Sequence, residues 1–406
     1  MARVIATGLG IICCLGRGKS QVWSGLVNGE SRFSSVTLPD FDRFAINLAG
    51  QVPDDLLETS DPSPPRGISR FELLGWLAAL EAIEDAGLTE AGYAPDTIGV
   101  QAGIGAAGML ESESWLQARS KAKRPSPKAL FGYPVSSLSA LLAEHFGWLG
   151  PRISIATACS SSAASLGLAA EAIRHGRVTA AVIVGSEALS RLTYGGFHSL
   201  RSMAPDTCRP FDARRKGLIL GEGAGAVVLE NKAAAEARGA PNYGELLGWG
   251  WSADAHHMTA PHPEGKGAGR AMHTALERSG LQPAQIAYIN MHGTGTVQND
   301  SAETQAVKSV FGRHAEHLKL SSTKSMTGHC LGAAGIIESV STLLTLETKV
   351  LPPTANLEQP GADCDLDYVP RQAEPCRGLR RAMNNVMAFG GNNVALIFQN
   401  GRNGTD

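Results

Sequence analysis

One cysteine of the chain stands where a nucleophile is expected. Cys159 lies in Ala156-Thr-Ala-Cys-Ser-Ser-Ser, between a β-branched run that predicts a strand and the small-residue run 161–175 that predicts a helix. The start of a helix carries unpaired N–H groups and the positive end of the helix dipole, and both stabilise a thiolate. The Cys159 N–H could also donate to an oxyanion. A buried structural cysteine is commoner among proteins, but this polar turn favours a nucleophile.

A histidine follows another predicted strand in the same way. His292 lies in Met291-His-Gly-Thr-Gly-Thr, directly after the run 286–291, and the glycines permit a tight turn and the close approach of a ligand. A histidine in such a loop is a candidate for a site. Four polar residues near it could bind the ligand or orient neighbouring groups: Thr294, Thr296, Asp300 and Glu303.

A second histidine lies in a faint internal repeat. The segment from Leu318, which includes Ser322-Thr-Lys-Ser-Met-Thr-Gly-His-Cys-Leu-Gly-Ala-Ala-Gly, repeats the strand, polar turn and small-residue helix around Cys159 about 165 residues later. His329 therefore occupies the turn that corresponds to the Cys159 turn. In open α/β sheets both turns would lie at the carboxyl ends of strands, where ligands bind.

Lys324, five residues before His329, is a candidate for setting the electrostatics around the two imidazoles. It could pair with Glu303 or with Glu338. Taken alone, a lysine in this position is more typical of a solvated side chain.

The last motif is Asn385-Val-Met-Ala-Phe-Gly-Gly-Asn-Asn, a predicted strand that enters a double-glycine turn. The N–H of Phe389 is a candidate oxyanion donor, and its ring could close over an acyl chain. A simple hairpin is the alternative, because the run 394–399 predicts another strand.

The elements that must position these residues alternate between short β-branched runs and longer Ala- and Leu-rich helical patterns, which predicts an α/β protein around a mainly parallel sheet. With 406 residues, 43% of them hydrophobic and 18% charged, the chain fits a duplicated body with a large core. Residues 1–10 read as a strand followed by a turn rather than as a signal peptide.

Charge and cysteine usage exclude several classes of function. The formal net charge of −2 gives no overall attraction to nucleic acid or to an anionic membrane, and no apolar run reaches the length of a membrane-spanning helix. The seven cysteines show no CxxC spacing, which argues against a disulfide framework and a structural zinc site. Adjacent Cys13 and Cys14 are interpreted as core packing, with a redox pair as the alternative. We predict a cytoplasmic protein.

These segments, in this order, resemble the β-ketoacyl-acyl carrier protein synthases, in particular the elongating type with a Cys-His-His triad. The resemblance covers nearly the whole chain and is carried further by three more motifs: Val4-Ile-Ala-Thr-Gly-Leu-Gly, Arg209-Pro-Phe-Asp with Gly221-Glu-Gly-Ala-Gly, and Ser252-Ala-Asp-Ala-His-His-Met-Thr. It implies a thiolase-like fold, with duplicated βαβαβ halves in a five-layered αβαβα body. Residues 1–240 would form the half with the cysteine and residues 241–406 the half with both histidines.

The resemblance implies a decarboxylative Claisen condensation in fatty acid or type II polyketide or polyene biosynthesis. Cys159 would hold the acyl chain, while His292 and His329 would act on malonyl-acyl carrier protein (malonyl-ACP). The N–H groups of Cys159 and Phe389 would form an oxyanion hole. Supporting catalytic roles fall to Lys324, Glu303, Asp300 and Glu338. No cofactor or metal is expected, since phosphopantetheine arrives on the carrier protein.

Some residues depart from the family's pattern. Leu218 stands where phenylalanine is common near the nucleophile, and Gly-Gly-Asn-Asn replaces Gly-Gly-Thr-Asn in the terminal loop. Leu110 matches a position that gates the depth of the acyl pocket. The predicted substrate-binding set is Leu110, Leu218, Thr294, Thr296 and Phe389.

The expected partner is an acidic acyl carrier protein, which local basic patches would steer. The candidate docking residues are Arg66, Arg70, Lys121, Lys123, Arg124 and Lys128. A homodimer is expected, with a heterodimer with a related synthase or chain-length factor as the alternative. Two other functions stay open: a thioester hydrolase or acyltransferase with the same nucleophile, and a non-catalytic assembly or chain-length partner.

Overall fold

A computed structural model of the chain describes residues 2–58, 63–65 and 67–401. The strands are β1 (Val4–Cys13), β2 (Gly16–Arg17), β3 (Ser34–Ser35), β4 (Leu48–Gly50), β5 (Ile98–Gly103), β6 (Arg152–Ile155), β7 (Ala180–Glu187), β8 (Leu220–Gly221), β9 (Gly223–Asn231), β10 (Gly244–Ala253), β11 (Tyr288–Asn290), β12 (Lys319–Ser321), β13 (Val350–Leu351), β14 (Glu374–Pro375), β15 (Arg381–Met387) and β16 (Asn392–Asn400). The helices are α1 (Lys19–Val27), α2 (Arg70–Ala86), α3 (Met109–Ser120), α4 (Ser137–Phe146), α5 (Ser161–Arg174), α6 (Arg191–Ser199), α7 (Lys232–Ala237), α8 (Lys266–Ser279), α9 (Val297–Phe311), α10 (Lys324–Thr327) and α11 (Ala334–Thr348).

Two runs of five strands have the same order and the same directions. One run is β6-β5-β7-β9-β1 and the other is β12-β11-β15-β16-β10, and they join edge to edge where β1 pairs with β10. In each run the first three strands are parallel and the last three are antiparallel. The chain is therefore duplicated, as expected, but the sheet is mixed and the prediction of a mainly parallel sheet is wrong. The boundary at residues 240 and 241 stays a prediction.

Five layers pack on one another. Helices α5 and α11 lie in contact between the two strand runs, α2 and α4 cover the outer face of the first run, and α8 covers the outer face of the second, with α9 packed beside it. A separate apolar core fills each of the three helical layers. This is the αβαβα body that the resemblance implied.

Glycines inside two strands explain two errors of the sequence analysis. The turn predicted after Thr7 is wrong, because β1 continues to Cys13 and a Cβ on Gly10 would lie 2.0 Å from the Ala78 carbonyl oxygen of α2. Strand β10 was not predicted at all, and a Cβ on its Gly250 would lie 2.0 Å from the Ala271 carbonyl oxygen of α8. In both halves the helix packs directly on the strand backbone, so glycine serves close packing rather than a turn.

Candidate active site

The turn that carries Cys159 is held by hydroxyl groups. Strand β6 ends at Ile155 and α5 begins at Ser161. The Thr157 N–H donates to Ser161 Oγ (2.9 Å), and the Ser161 hydroxyl donates to the Ala158 carbonyl oxygen (2.6 Å). Ala158 has φ of 52°, which is unfavourable for a residue with a Cβ and brings Cys159 into the turn ahead of the helix.

Cys159 is buried and its sulfur faces His329. Burial raises the pKa of the Cys159 thiol to about 11, although the positive charge of Lys324 and a hydrogen bond from the Phe389 N–H act in the opposite direction. The stabilised thiolate that the sequence analysis expected is therefore wrong for the unliganded protein, since the penalty of burial exceeds these favourable terms. Because His329 Nε2 lies 3.1 Å from the Cys159 sulfur, this imidazole is placed to receive the thiol proton.

His329 is fixed by its backbone. Its N–H donates to the Ile219 carbonyl oxygen (2.7 Å), and its own carbonyl oxygen accepts from the Gly221 N–H (3.0 Å). The ring stands nearly perpendicular to the ring of His292, with 5.2 Å between the centroids. Burial, and then the charge of Lys324, lowers the pKa of both histidines well below its usual value, and His329 adds to the effect at His292. Both imidazoles are therefore neutral at pH 7.

Lys324 is 1% exposed and lies at the centre of the histidine turns, so the alternative of a solvated lysine is wrong. Its ammonium group forms an ion pair with Glu338 and donates to the His292 carbonyl oxygen (2.6 Å). It also lies 3.2 Å from His292 Nδ1. Since an ammonium group has only protons to give, His292 Nδ1 must accept, and Nε2 of His292 carries the proton. Burial raises the pKa of Glu338 to about 7, against the effect of Lys324.

Glu303 holds the backbone of the His292 turn. Its carboxylate accepts from the N–H groups of His292 (2.7 Å) and Gly293 (2.8 Å), and from the side-chain amide of Asn385 (2.5 Å). Burial raises the pKa of Glu303 to about 7, while these hydrogen bonds favour the carboxylate. The sequence left Glu303 and Glu338 as possible partners of Lys324, and the structure shows that Glu338 forms the ion pair.

Asp300 holds the next residues of the same loop. One carboxylate oxygen accepts from the N–H groups of Thr294 (3.1 Å) and Gly295 (3.2 Å), and the other accepts from the Phe211 N–H (2.8 Å). Burial raises the pKa of Asp300 to about 6. Asp300 therefore shapes the loop through its backbone and does not line the cleft.

A cleft of about 170 Å³ is lined by the three reactive side chains, which are otherwise buried. Of the predicted substrate-binding residues, four line it with Cys159, His292 and His329: Leu218, Thr294, Thr296 and Phe389. Leu110 is not among the lining residues of this cleft, so its role in the acyl pocket stays a prediction. The ring of Phe389 stacks on that of Phe197, with 5.3 Å between the centroids, and both rings line the cleft.

Comparison with known proteins agrees with this geometry. Residues 1–235 match the model of the β-ketoacyl synthase N-terminal domain, and residues 243–358 match that of the C-terminal domain. The chain belongs to the β-ketoacyl synthase family. It is an acyltransferase with a thiolase-like fold.

Individual relatives cover almost the full chain. A 3-oxoacyl-[acyl-carrier-protein] synthase 2 of Synechocystis is 39% identical over 98% of both chains. The ishigamide ketosynthase/chain length factor structure is similar with a TM-score of 0.92 and 32% identity, over 98% of this chain and 99% of that one. A type II polyketide ketosynthase, AntDE, solved in complex with its acyl carrier protein AntF, gives a TM-score of 0.89 and 30% identity, over 98% and 99%.

The docking residues predicted for the synthase fall into two groups. Arg70 is a correction: its side chain is 12% exposed and pairs with buried Glu222 and with Asp54, so it serves the interior of the protein. Lys121, Lys123, Arg124 and Lys128 are exposed on the segment after α3, and none of them lines the cleft. Arg66 lies outside the described residues.

Several residues at the site of the synthase were missed, among them Asn385 and Phe197. Asn385 was quoted as part of a motif without a role, and Phe197 was not singled out. The signal for Asn385 was the pair Asn384-Asn385 between the apolar residues of β15, whereas a phenylalanine in an amphipathic helix carries no such signal.

No helix among the described residues is long and apolar enough to cross a membrane. Within the same ranges, no group of three or more histidine, cysteine or acidic residues has the geometry of a metal site. The absence of a cofactor stays a prediction.

Proposed function

We propose that this synthase condenses a malonyl group, delivered on an acyl carrier protein, with an acyl chain held on Cys159. The observation that carries the proposal is the convergence of three side chains in one cleft. The Cys159 sulfur lies 3.1 Å from His329 Nε2, and the His292 ring stands 5.2 Å from that of His329.

The first half-reaction loads the acyl chain. As the Cys159 sulfur attacks the thioester carbonyl, its proton passes to His329 Nε2, which compensates for the raised pKa of the thiol. The carbonyl oxygen becomes an oxyanion, for which the N–H groups of Cys159 and Phe389 are the donors. The proton then leaves with the thiol of the carrier protein.

The second half-reaction uses the histidines. The Nε2–H of His292, fixed by Lys324, donates to the thioester oxygen of the malonyl group and stabilises the enolate that forms as carbon dioxide leaves. Once the sulfur is acylated it no longer donates a proton, and His329 Nε2 can carry the second N–H donor. The enolate carbon then attacks the acyl-Cys159 thioester, and the thiolate of Cys159 departs.

The partners belong to the same proposal. Acyl carrier protein is proposed as the source of both substrates, which is supported by the AntDE:AntF complex of a relative. A homodimer is proposed, with a chain-length factor as the alternative partner, which the ishigamide ketosynthase/chain length factor structure supports. A cytoplasmic location and independence from a metal or cofactor are also parts of this proposal.

The test supplies purified protein with acyl- and malonyl-carrier protein and measures product mass, carbon dioxide and the mass of the synthase. We expect an acyl adduct on Cys159 and a β-ketoacyl carrier product, both absent with Cys159→Ala. Acyl transfer to water without carbon dioxide release would indicate the hydrolase, and no adduct at all would indicate the non-catalytic partner.

A further inference from the structure

The side chain of Glu187, which ends the apolar strand β7, has no role in the steps above. It is 0% exposed, and both of its carboxylate oxygens accept hydrogen bonds from backbone N–H groups. Oε2 accepts from the N–H groups of Gly105 (2.9 Å) and Gly332 (3.1 Å), and Oε1 accepts from the Ala106 N–H (2.8 Å). A single carboxylate thus joins a loop of the first half of the chain to a turn of the second half.

The two segments that meet at Glu187 touch through their backbones. A Cβ on Gly332 would lie 2.3 Å from the Gly105 nitrogen, and a Cβ on Gly105 would lie 2.4 Å from Glu187 Oε2. Neither glycine has a positive φ, so both positions require glycine for space and not for conformation. Any added side chain would separate the segments or displace the carboxylate.

Both segments contain a strained residue next to the contact. Ala107 has φ of 50° and Leu331 has φ of 45°, although neither is glycine. Such a conformation is unfavourable for a residue with a Cβ and persists only where the surroundings hold it. The carboxylate of Glu187 accepts from the N–H of Ala106, next to Ala107, and from that of Gly332, next to Leu331.

The two segments carry functional residues. Leu331 follows His329 by two positions and packs in an apolar cluster with Cys159 and Leu218. The loop at Gly105 leads into α3, whose second residue is Leu110. A shift of the second segment would move the apolar cluster beside Cys159 or the imidazole that faces the sulfur.

We infer that Glu187 is a positioning residue of the condensation, which clamps the loop at residues 105–107 to the turn at residues 329–332. The clamp fixes His329 against Cys159 and sets the position of Leu331 in the apolar cluster beside Cys159, which we call the pocket wall. The catalytic part of this inference rests on the proposed function, whereas the part that concerns the pocket wall does not.

The test replaces Glu187 by glutamine, which keeps the volume but turns an amide N–H₂ toward at least one backbone donor. Glu81→Gln is the matched control, because Glu81 also accepts from two backbone N–H groups, those of Ile11 (2.9 Å) and Lys19 (2.7 Å), but it lies where α2 meets β1 and does not line the cleft. Rates are normalised to the folded fraction measured by circular dichroism, so that a loss of folding is not counted as a loss of catalysis.

For Glu187→Gln we expect condensation per folded molecule to fall at least about tenfold, with KM for malonyl-carrier protein little changed, since a displaced catalytic group chiefly lowers the rate of the bound complex. Gly332→Ala, which displaces the same carboxylate from the other side, should have the same effect. Rates of Glu187→Gln and Gly332→Ala that equal the rate of Glu81→Gln would overturn the inference.

A second readout does not depend on turnover. N-alkyl iodoacetamides of increasing chain length label Cys159 directly, and the dependence of the labelling rate on chain length reports the pocket wall. We expect Glu187→Gln to change this dependence and Glu81→Gln to retain it. If the wild type fails to condense but the dependence changes, the proposed function is wrong and the clamp stands; an unchanged dependence refutes the clamp.

Discussion

The turn that carries Cys159 and the turn that carries His329 follow equivalent strands, β6 and β12, and precede equivalent central helices, α5 and α11. Different kinds of interaction hold the two turns in place. The cysteine turn is held by neutral hydroxyl groups such as that of Ser161, while the histidine turns are held by the buried charges of Lys324 and Glu338. A duplicated scaffold thus acquired a nucleophile in one half and fixed proton donors in the other.

The largest predicted effect comes from removing the charge at the histidine turns. Lys324→Met leaves Glu338 buried without its partner, so the free energy of unfolding should fall by about 3–5 kcal/mol in chemical denaturation. Lys319→Met is the control, because that lysine pairs with Asp367 and Glu374 near the surface and should change stability by less than about 1 kcal/mol. Equal losses in the two variants would remove the distinction between the turns.

A smaller effect is expected from the neutral turn. Ser161→Ala removes the acceptor of the half-buried Thr157 N–H, which should lower the free energy of unfolding by about 1 kcal/mol. Acylation of Cys159 should slow, while malonyl decarboxylation continues. Ser165→Ala is the matched control, since its hydroxyl donates to the Ser161 carbonyl oxygen one helical turn further on. If Ser161→Ala slows decarboxylation as much as acylation, the cysteine turn does not act on the acyl chain alone.

The pH dependence of stability should sharpen the same contrast. His292 has its pKa lowered by burial and by Lys324, so below pH of about 6.5 the unfolded chain binds a proton that the folded chain does not, and stability falls with falling pH. His292→Asn should make the free energy of unfolding fall less steeply with falling pH, by about 1.4 kcal/mol per pH unit. Equal slopes in the wild type and His292→Asn would show that the His292 imidazole titrates as freely in the folded chain as in the unfolded one.

The smallest effect is expected outside both turns. Lys123→Glu with Arg124→Glu should raise KM for carrier-bound substrates several-fold, with little effect on small thioesters, because exposed charges steer encounter and do not touch the chemistry. Arg177→Glu with Arg313→Glu, exposed residues elsewhere on the chain, should leave both values unchanged. Equal losses on carrier-bound and small substrates would refute the docking assignment.

The strand ends could be predicted from the sequence, and with them the positions of Cys159 and His292. Periodicity also gave the two central helices and hence the duplication. Strand β10 was not predicted, because its glycines, Gly248 and Gly250 among them, are typical of a loop. In the structure they lie against α8. A pattern records residue types and not the closeness of a partner element.

Charges in the interior were harder to place. Lys324 was recognised as a partner for a glutamate, but its burial depends on the meeting of β11, β12 and α11, which no local pattern contains. The raised pKa of Cys159 has the same origin, since helix position predicted a thiolate and burial outweighed it. Glu187 offered a sequence signal, an acid at the end of a strand whose first six residues are apolar, that was overlooked.

The division of labour between the turns is tested most directly by separating the two half-reactions in two variants. Cys159→Gln should decarboxylate malonyl-carrier protein although it cannot be acylated, and His292→Ala should accept the acyl chain although it decarboxylates poorly. Adduct mass and carbon dioxide release report the two steps independently. If folded Cys159→Gln releases no carbon dioxide, or His292→Ala loses acylation as completely as decarboxylation, the two turns do not act on separate substrates.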